Sequence, residues 1–273
     1  MLTESVLYAT AGGRFGDRQA DIVRAVVAVA PDLLPRFDIH PLRRLAHFLA
    51  QICHESDRFK TTREYASGDA YEGRPDLGNT EPGDGRRFAG RGLLQLTGRA
   101  NYRWAGDLLG LDLVAEPERA ADPALSLHIA CLYWRDRTLN PLADADDLRA
   151  VTRHINGGLN GLVHRARCLA RAETALVQQR LADLGHDPGP VDGAEGRRTR
   201  AGLAAFQRTA GLDPTGHRSP STEARLFAGG APRAAPDTAA PSSAAGRARH
   251  IAHLARALAD ELDASTSPER TIP

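Results

Sequence analysis

Apolar side chains recur at three- and four-residue intervals through most of this chain, and that spacing predicts a mainly helical protein. Within residues 41–56, Leu45, Phe48, Leu49, Ile52 and Cys53 share one face, so the segment reads as a helix with a continuous buried stripe. Pro41 opens it at a first helical position, where proline's missing N–H costs nothing. Residues 20–29 read as another helix, and the periodicity returns at 93–109, 120–136, 145–154 and 162–184. No stretch is rich in strand signals.

Residues 66–92 break the pattern. Glycines at 68, 73, 78, 83, 85, 90 and 92, with Pro75 and Pro82, make a segment too long and turn-rich for a simple connector, which predicts a functional loop. From residue 173 the character changes again: Val177, Leu181 and Leu184, a Gly- and Asp-rich turn, then Leu203, Phe206, Leu212 and a short helix near 221–228 predict a small three-helix unit. Residues 230–246 are an Ala/Pro/Ser linker, extended by composition. The last segment carries Ile251, Leu254, Leu258 and Leu262 on one face, but its early arginines and late acids oppose the helix dipole, so it needs a partner surface to be stable. The expected organisation is a helical domain with a long Gly-rich loop at 1–172, a three-helix domain at 173–229, the linker at 230–246, and an amphipathic helix with tail at 247–273.

Composition narrows the function. Of 273 residues, 35 are basic and 34 acidic, and no segment carries the basic excess that phosphate backbones demand, which excludes nucleic acid as a partner. Lys60 is the sole lysine, which nearly excludes Schiff-base chemistry. Cys53, Cys131 and Cys168 are odd in number and widely spaced, so they read as buried thiols and not as a disulfide scaffold or zinc site. Neither a signal peptide nor an apolar run of membrane-spanning length is visible, so the expectation is cytosolic synthesis without integral membrane association.

His54-Glu55 invites a zinc-protease reading, but the second histidine of that motif is replaced by Arg58 and the metal loses a ligand. No metal or cofactor is expected. Cys53 and His54 are neighbours on a helix, point about 100° apart and cannot share a proton. Glu55 lies about 80° from the centre of the apolar stripe, at its border with solvent, where partial desolvation suits a general acid. Glu64 follows beyond the helix end and just before the Gly-rich loop. Two carboxyl groups flanking one cleft are the minimum apparatus of glycoside hydrolysis.

Here a resemblance enters. His54-Glu55-Ser56, Arg63-Glu64-Tyr65, the run from Tyr71 to Asn79, Pro82-Gly83-Asp84-Gly85, the run from Gly90 to Tyr102, and Ile155-Asn156-Gly157-Gly158 resemble, in order over about 38–172, glycoside hydrolase family 19, especially its bacterial and phage endolysin branch. The resemblance implies a lysozyme-like helical catalytic domain in which Glu55 is the general acid and Glu64 the general base of an inverting hydrolysis. It further implies that Thr97 helps hold the attacking water, that Gln95, Asn101, Tyr102 and Asn156 fall at sugar-contacting positions, and that Arg165 orients the catalytic carboxylates. The bland alternative, loop anchoring, stays open for these polar residues. One departure is visible: Asp57-Arg58 replace a glycine pair, so these side chains either narrow the cleft or pair with each other.

Residues 173–228, with Val177-Gln178-Gln179, Val191-Asp192-Gly193, Phe206-Gln207 and Gly211-Leu212, resemble the small peptidoglycan-binding domain found beside many cell-wall hydrolases. The expected partner is therefore the glycan strand of peptidoglycan, with chitin oligosaccharides as the close alternative because they share the β-1,4 linkage. A lytic transglycosylase needs only one carboxyl group, and a catalytically silent wall-binding protein needs none. Without an export signal, the enzyme is expected to reach the periplasm or cell wall by lysis or through a phage holin.

Overall fold

The computed structural model describes residues 2–228, and the linker and amphipathic segment expected at 230–273 lie outside them. The described residues form helices α1 (Glu4–Ala11), α2 (Asp17–Leu33), α3 (Leu42–Glu55), α4 (Asp84–Arg87), α5 (Arg99–Leu109), α6 (Pro123–Asp136), α7 (Leu139–Asp144), α8 (Leu148–Asn156), α9 (Leu162–Asp183), α10 (Arg197–Thr209) and α11 (Pro220–Leu226). Isolated bridges are the only β pairing among the described residues.

Local signals set several boundaries. Asp122 accepts the Leu125 N–H at 2.8 Å and Pro123 occupies the first helical position, so α6 starts where capping and proline stereochemistry agree. Asp147 caps α8 through Ala150 in the same way. Pro41 stands one residue earlier than expected, in the extended conformation before α3. α2 outruns its expected span at both ends and contains Pro31 near its C-terminus.

Among the described residues, 2–66, 90–96 and 120–228 constitute one compact unit. At its centre α3 packs on α9 and α1, burying Leu45, Ala46, Phe48, Leu49, Ile52 and Cys53 as the stripe requires. Trp134 of α6 meets Phe48 edge-on at 5.3 Å, and its indole N–H donates to Asn140 Oδ1 at 2.8 Å. The expected domain border at 172/173 falls inside α9. That helix buries Arg165 and Cys168 in its first half and Ala175, Leu176, Val177, Gln178 and Leu181 in its second, so it serves both parts of the unit as one rod.

Two glutamines organise the C-terminal helices. Gln178 donates to Asp192, Ala194 and Thr199 and accepts the Asp192 and Gly193 N–H groups. Gln207 donates to His217 O and Thr222 and accepts the Gly216 N–H. Each buried amide thereby satisfies a loop backbone that periodicity leaves blank.

The second unit holds residues 67–89 and 97–119. Its Gly-rich segment is tightly bonded. Glu72 accepts the Gly83 and Gly85 N–H groups at 2.7 Å, and buried Asn79 donates to Tyr71 O and accepts the Arg99 N–H, both at 2.8 Å. Arg99 pairs with Asp84, and that bond holds the Asp84 carboxyl below the usual carboxylate range.

The helix expected over 93–109 begins only at Arg99. Gln95 (φ 53°) and Gly98 (φ 90°) are left-handed, and Arg91 and Leu96 exchange backbone hydrogen bonds of 3.1 and 2.7 Å that fold the segment back on itself. The leucines at 93, 94 and 96 imitate helical spacing without forming a helix.

Candidate active site

α3 ends at Glu55, and Gln51 lies one turn earlier on the same face. Arg165 of α9 reaches both: Nη2 donates to Glu55 Oε1 and Nη1 to Gln51 Oε1. Arg165 is 1% exposed and Glu55 19%, so this ion pair is largely removed from water and its geometry is correspondingly constrained. The rigid guanidinium fork can engage two acceptors at once, which a lysine ammonium could not reproduce in this plane.

Arg165 Nε donates to the Asn160 carbonyl at 3.4 Å. The same carbonyl accepts from Asn156 Nδ2 at 2.9 Å, while Asn156 Oδ1 accepts the Gly158 N–H at 2.9 Å. Both polar ends of Asn156 therefore close the loop entering α9. In this geometry its connection to Glu55 runs through Asn160 and Arg165.

Tyr133 of α6 donates to Ile155 O at 3.2 Å, at the end of α8. Burial holds its phenol above the ordinary value; Arg137 opposes this and the Glu55 charge adds to it. His54 lies against His164, Nδ1 to Nδ1, at 3.0 Å. Burial, helped by the positive charge of Arg165 and by His164, pushes His54 down to about 4, so it is a neutral imidazole at neutral pH.

Glu64 stands on short paired segments. Arg63 bridges Arg91, Arg91 bridges Leu96, and the Gly92 N–H donates to Thr62 O at 2.8 Å. Glu64 N–H donates to Gly90 O and the Gly90 N–H returns a bond to Glu64 Oε2, each at 2.9 Å. The half-buried carboxylate is thus held by the backbone of the segment beside it. Gly92 is required here: its φ is 83°, and a Cβ would stand 3.1 Å from both Ala120 O and Ser126 Cβ. Gln95 is half-buried and donates to Gly92 O at 2.8 Å, so one end of its amide holds this same turn.

After α3 the chain makes a left-handed turn at Asp57, Arg58 and Phe59, with φ of 47°, 63° and 60°. Left-handed geometry costs an L-residue about 1–2 kcal/mol, so three in succession need support. Ser56 Oγ accepts the Phe59 N–H at 3.0 Å, Gln19 donates to Arg58 O at 2.8 Å, and the Arg58 guanidinium lies 4.4 Å over the Phe15 ring. Asp57 bonds Lys60 at 2.6 Å and Tyr65 Oη at 3.0 Å, whereas Arg58 stays 3.9 Å from it. Partial burial opposes ionisation of Asp57, but the bonds from Lys60 and Tyr65 hold its carboxyl below the usual range. The pairing expected between Asp57 and Arg58 is present as a 3.9 Å ion pair, and each side chain has closer partners besides.

Thr97 and Asn101 belong to the second unit, where exposed Asn101 donates to Thr97 O at 2.7 Å. Tyr102 corrects the sequence reading. It is wholly buried beside Phe88 and its hydroxyl donates to Ala89 O at 2.7 Å, so it offers no surface to a sugar and instead forms the core of its unit.

Gln51, Tyr133 and His164 escaped the sequence reading. A polar residue one turn before Glu55 within a buried face was the available signal for Gln51; Tyr133 and His164 gave none, because their positions depend on which helices meet.

Residues 38–145 match the class I chitinase model of glycosyl hydrolase family 19, and residues 170–226 match a putative peptidoglycan-binding domain. Asn156 and Arg165 lie outside both spans. A glycosyl hydrolase family 19 domain-containing protein of Haemophilus influenzae is 35% identical over 154 residues, covering 45% of this chain and 74% of that protein. Endochitinase EP3 of Arabidopsis thaliana is 32% identical over 157 residues, covering 54% of this chain and 53% of its own length. The crystal structure of chitinase C from Streptomyces griseus is 22% identical with a TM-score of 0.49, covering 62% of this chain and 74% of that one. The chain spans about half the length or less of the plant endochitinases it matches.

Proposed function

The chain belongs to glycosyl hydrolase family 19, and from that premise we propose that it is a cell-wall hydrolase cutting β-1,4-glycosidic bonds of peptidoglycan by inverting acid–base catalysis. The observation that carries this substrate choice is the union, in one chain, of the family 19 match over 38–145 with the peptidoglycan-binding match over 170–226. A wall-binding module joined to the hydrolase raises the local concentration of enzyme on an insoluble substrate.

In this reading Glu55 protonates the leaving glycosidic oxygen. Arg165 fixes the orientation of its carboxyl group, and Gln51 holds the other arm of the guanidinium. Glu64, anchored by Gly90, takes the proton of the attacking water. Gln95 and Asn101 contact sugar, while Asn156 supports Arg165 through the loop. The enzyme acts in the periplasm or cell wall after release by lysis or through a holin; among the described residues no helix is long and apolar enough to cross a membrane. Chitin remains the alternative substrate, since its linkage is the same and the curated relatives include proteins named endochitinases.

Zymography on purified sacculi, run beside hydrolysis of soluble chitin oligosaccharides, tests this. Clearing of sacculi by the wild type and not by Glu55→Gln supports the proposal. Hydrolysis confined to chitin oligosaccharides replaces peptidoglycan with chitin, and inactivity on both overturns the enzymatic reading.

A further inference from the structure

Two of the three thiols play no part in the site described above, yet they meet. Cys53 of α3 and Cys168 of α9 are both wholly buried, with Sγ atoms in hydrogen-bond contact at 3.2 Å and no disulfide between them. They come from segments separated by 115 positions, and they lie on the two helices that present Glu55 and Arg165. Cys131 is also buried but free and is not part of this contact, so it serves as an internal control.

We propose that Cys53 and Cys168 are a redox-active pair that closes to a disulfide in an oxidising compartment, stapling α3 to α9 behind the Glu55–Arg165 pair.

The chemistry is thiol–disulfide exchange with a small disulfide such as oxidised glutathione. Cys168 thiolate attacks one sulfur of that disulfide, forming a mixed disulfide and releasing one glutathione thiolate. Cys53 sulfur then attacks Cys168 Sγ and expels the second glutathione, and the two cysteine protons go to the departing thiolates. Two cysteine thiols are oxidised and one disulfide is reduced to two thiols.

In the docked pair the hydrogen bond with Cys53, aided by the positive charges of Arg171, Arg58 and Arg165, holds Cys168 below the ordinary thiol value against its burial. His164 Nδ1 lies 3.7 Å from its sulfur. Burial does not block pairing, because the chain exposes both thiols before α9 docks on α3 and folding then brings them together. Once formed, the cross-link is shielded from reductants, and it constrains the unfolded chain over a long loop.

The full chain is refolded from denaturant in a glutathione redox buffer, then quenched, alkylated under denaturing conditions and digested with trypsin. The expected product links peptide 45–58, which contains Cys53, to the short peptide 168–171, which begins at Cys168, while Cys131 carries the alkyl group. The oxidised protein should melt roughly 5–10 °C above the reduced one, and Cys53→Ser or Cys168→Ser should abolish that difference. Alkylation of all three cysteines, a persistent glutathione adduct, or a cross-link through Cys131 would each overturn the proposal. The mapping needs no activity, so its failure leaves the proposed hydrolysis untouched.

Discussion

Glu55 allows a test in which chemistry and stability separate. Its carboxylate and the Arg165 guanidinium form a pair with little access to water, 19% and 1% exposed. Glu55→Gln keeps an oxygen that can accept from Arg165 Nη2 but has no proton to donate to a leaving oxygen, so turnover should fall by about 10²–10⁴. Stability should fall by only about 1–2 kcal/mol, the difference between a charge-assisted and a neutral acceptor. Glu55→Leu removes the acceptor and strands a buried guanidinium, which costs about 3–5 kcal/mol when a pair is broken from one side. For a chain of this size that lowers the melting temperature by roughly 6–20 °C. Arg165→Met strands Glu55 and Gln51 instead; because Glu55 retains some contact with water, its cost should lie toward the lower limit. The double variant, Glu55→Leu with Arg165→Met, removes both charges and should be more stable than the sum of the single losses predicts, by at least about 1 kcal/mol. Hydrolysis of sacculi or soluble oligosaccharides gives the first quantity and thermal melts give the rest. Retention by Glu55→Gln of more than about a tenth of wild-type turnover would remove Glu55 as the acid. Additive losses in the double variant would refute the coupling between α3 and α9 at this pair.

Early-time NMR of a soluble digest should show inverted anomeric products, with the carboxyl groups of Glu55 and Glu64 roughly 6.5–9.5 Å apart; retention or an anhydro end points to another mechanism. His128 is pushed down to about 4, chiefly by burial and then by Arg36 and Arg135, so between its ordinary value near 6.5 and about 4 the unfolded chain binds the proton that the folded chain refuses. Stability should therefore fall as pH drops through that window, and His128→Leu should flatten the slope by up to about 1.4 kcal/mol per pH unit; an unchanged slope in chemical denaturation would contradict this. A chain ended at residue 172 cuts α9 before buried Ala175, Leu176, Val177 and Leu181 and should not fold stably, whereas one ended just after α9 should cleave soluble oligosaccharides and lose retention on sacculi. Equal retention of that chain and the full one in a pull-down would refute the binding role of 185–228.

What the sequence alone determined follows from rules that act locally. The stripe on α3 predicts the face it buries, the periodicity over 120–136 marks α6 to within three residues, and that over 162–184 marks α9 almost to the residue. The family motifs made Glu55 and Glu64 legible as a pair of candidates because their order along the chain is itself the signal.

Tertiary structure decided everything that depends on which buried faces meet. Periodicity says that Cys53 is inside but not that Cys168 is what it touches, and the resemblance that points Arg165 at the carboxylates does not reveal that its other arm holds Gln51. Tyr102 looks like a polar residue in a sugar-contacting run, yet an aromatic ring that can bury its face and give its hydroxyl to one carbonyl is driven into the core. Residues 93–98 carry leucines at helical spacing, but left-handed Gln95 and Gly98 and the Arg91–Leu96 bonds turn the chain back. Local propensity is worth a few tenths of a kcal/mol per residue and is overruled wherever pairing partners far along the chain satisfy the backbone and cover the apolar atoms.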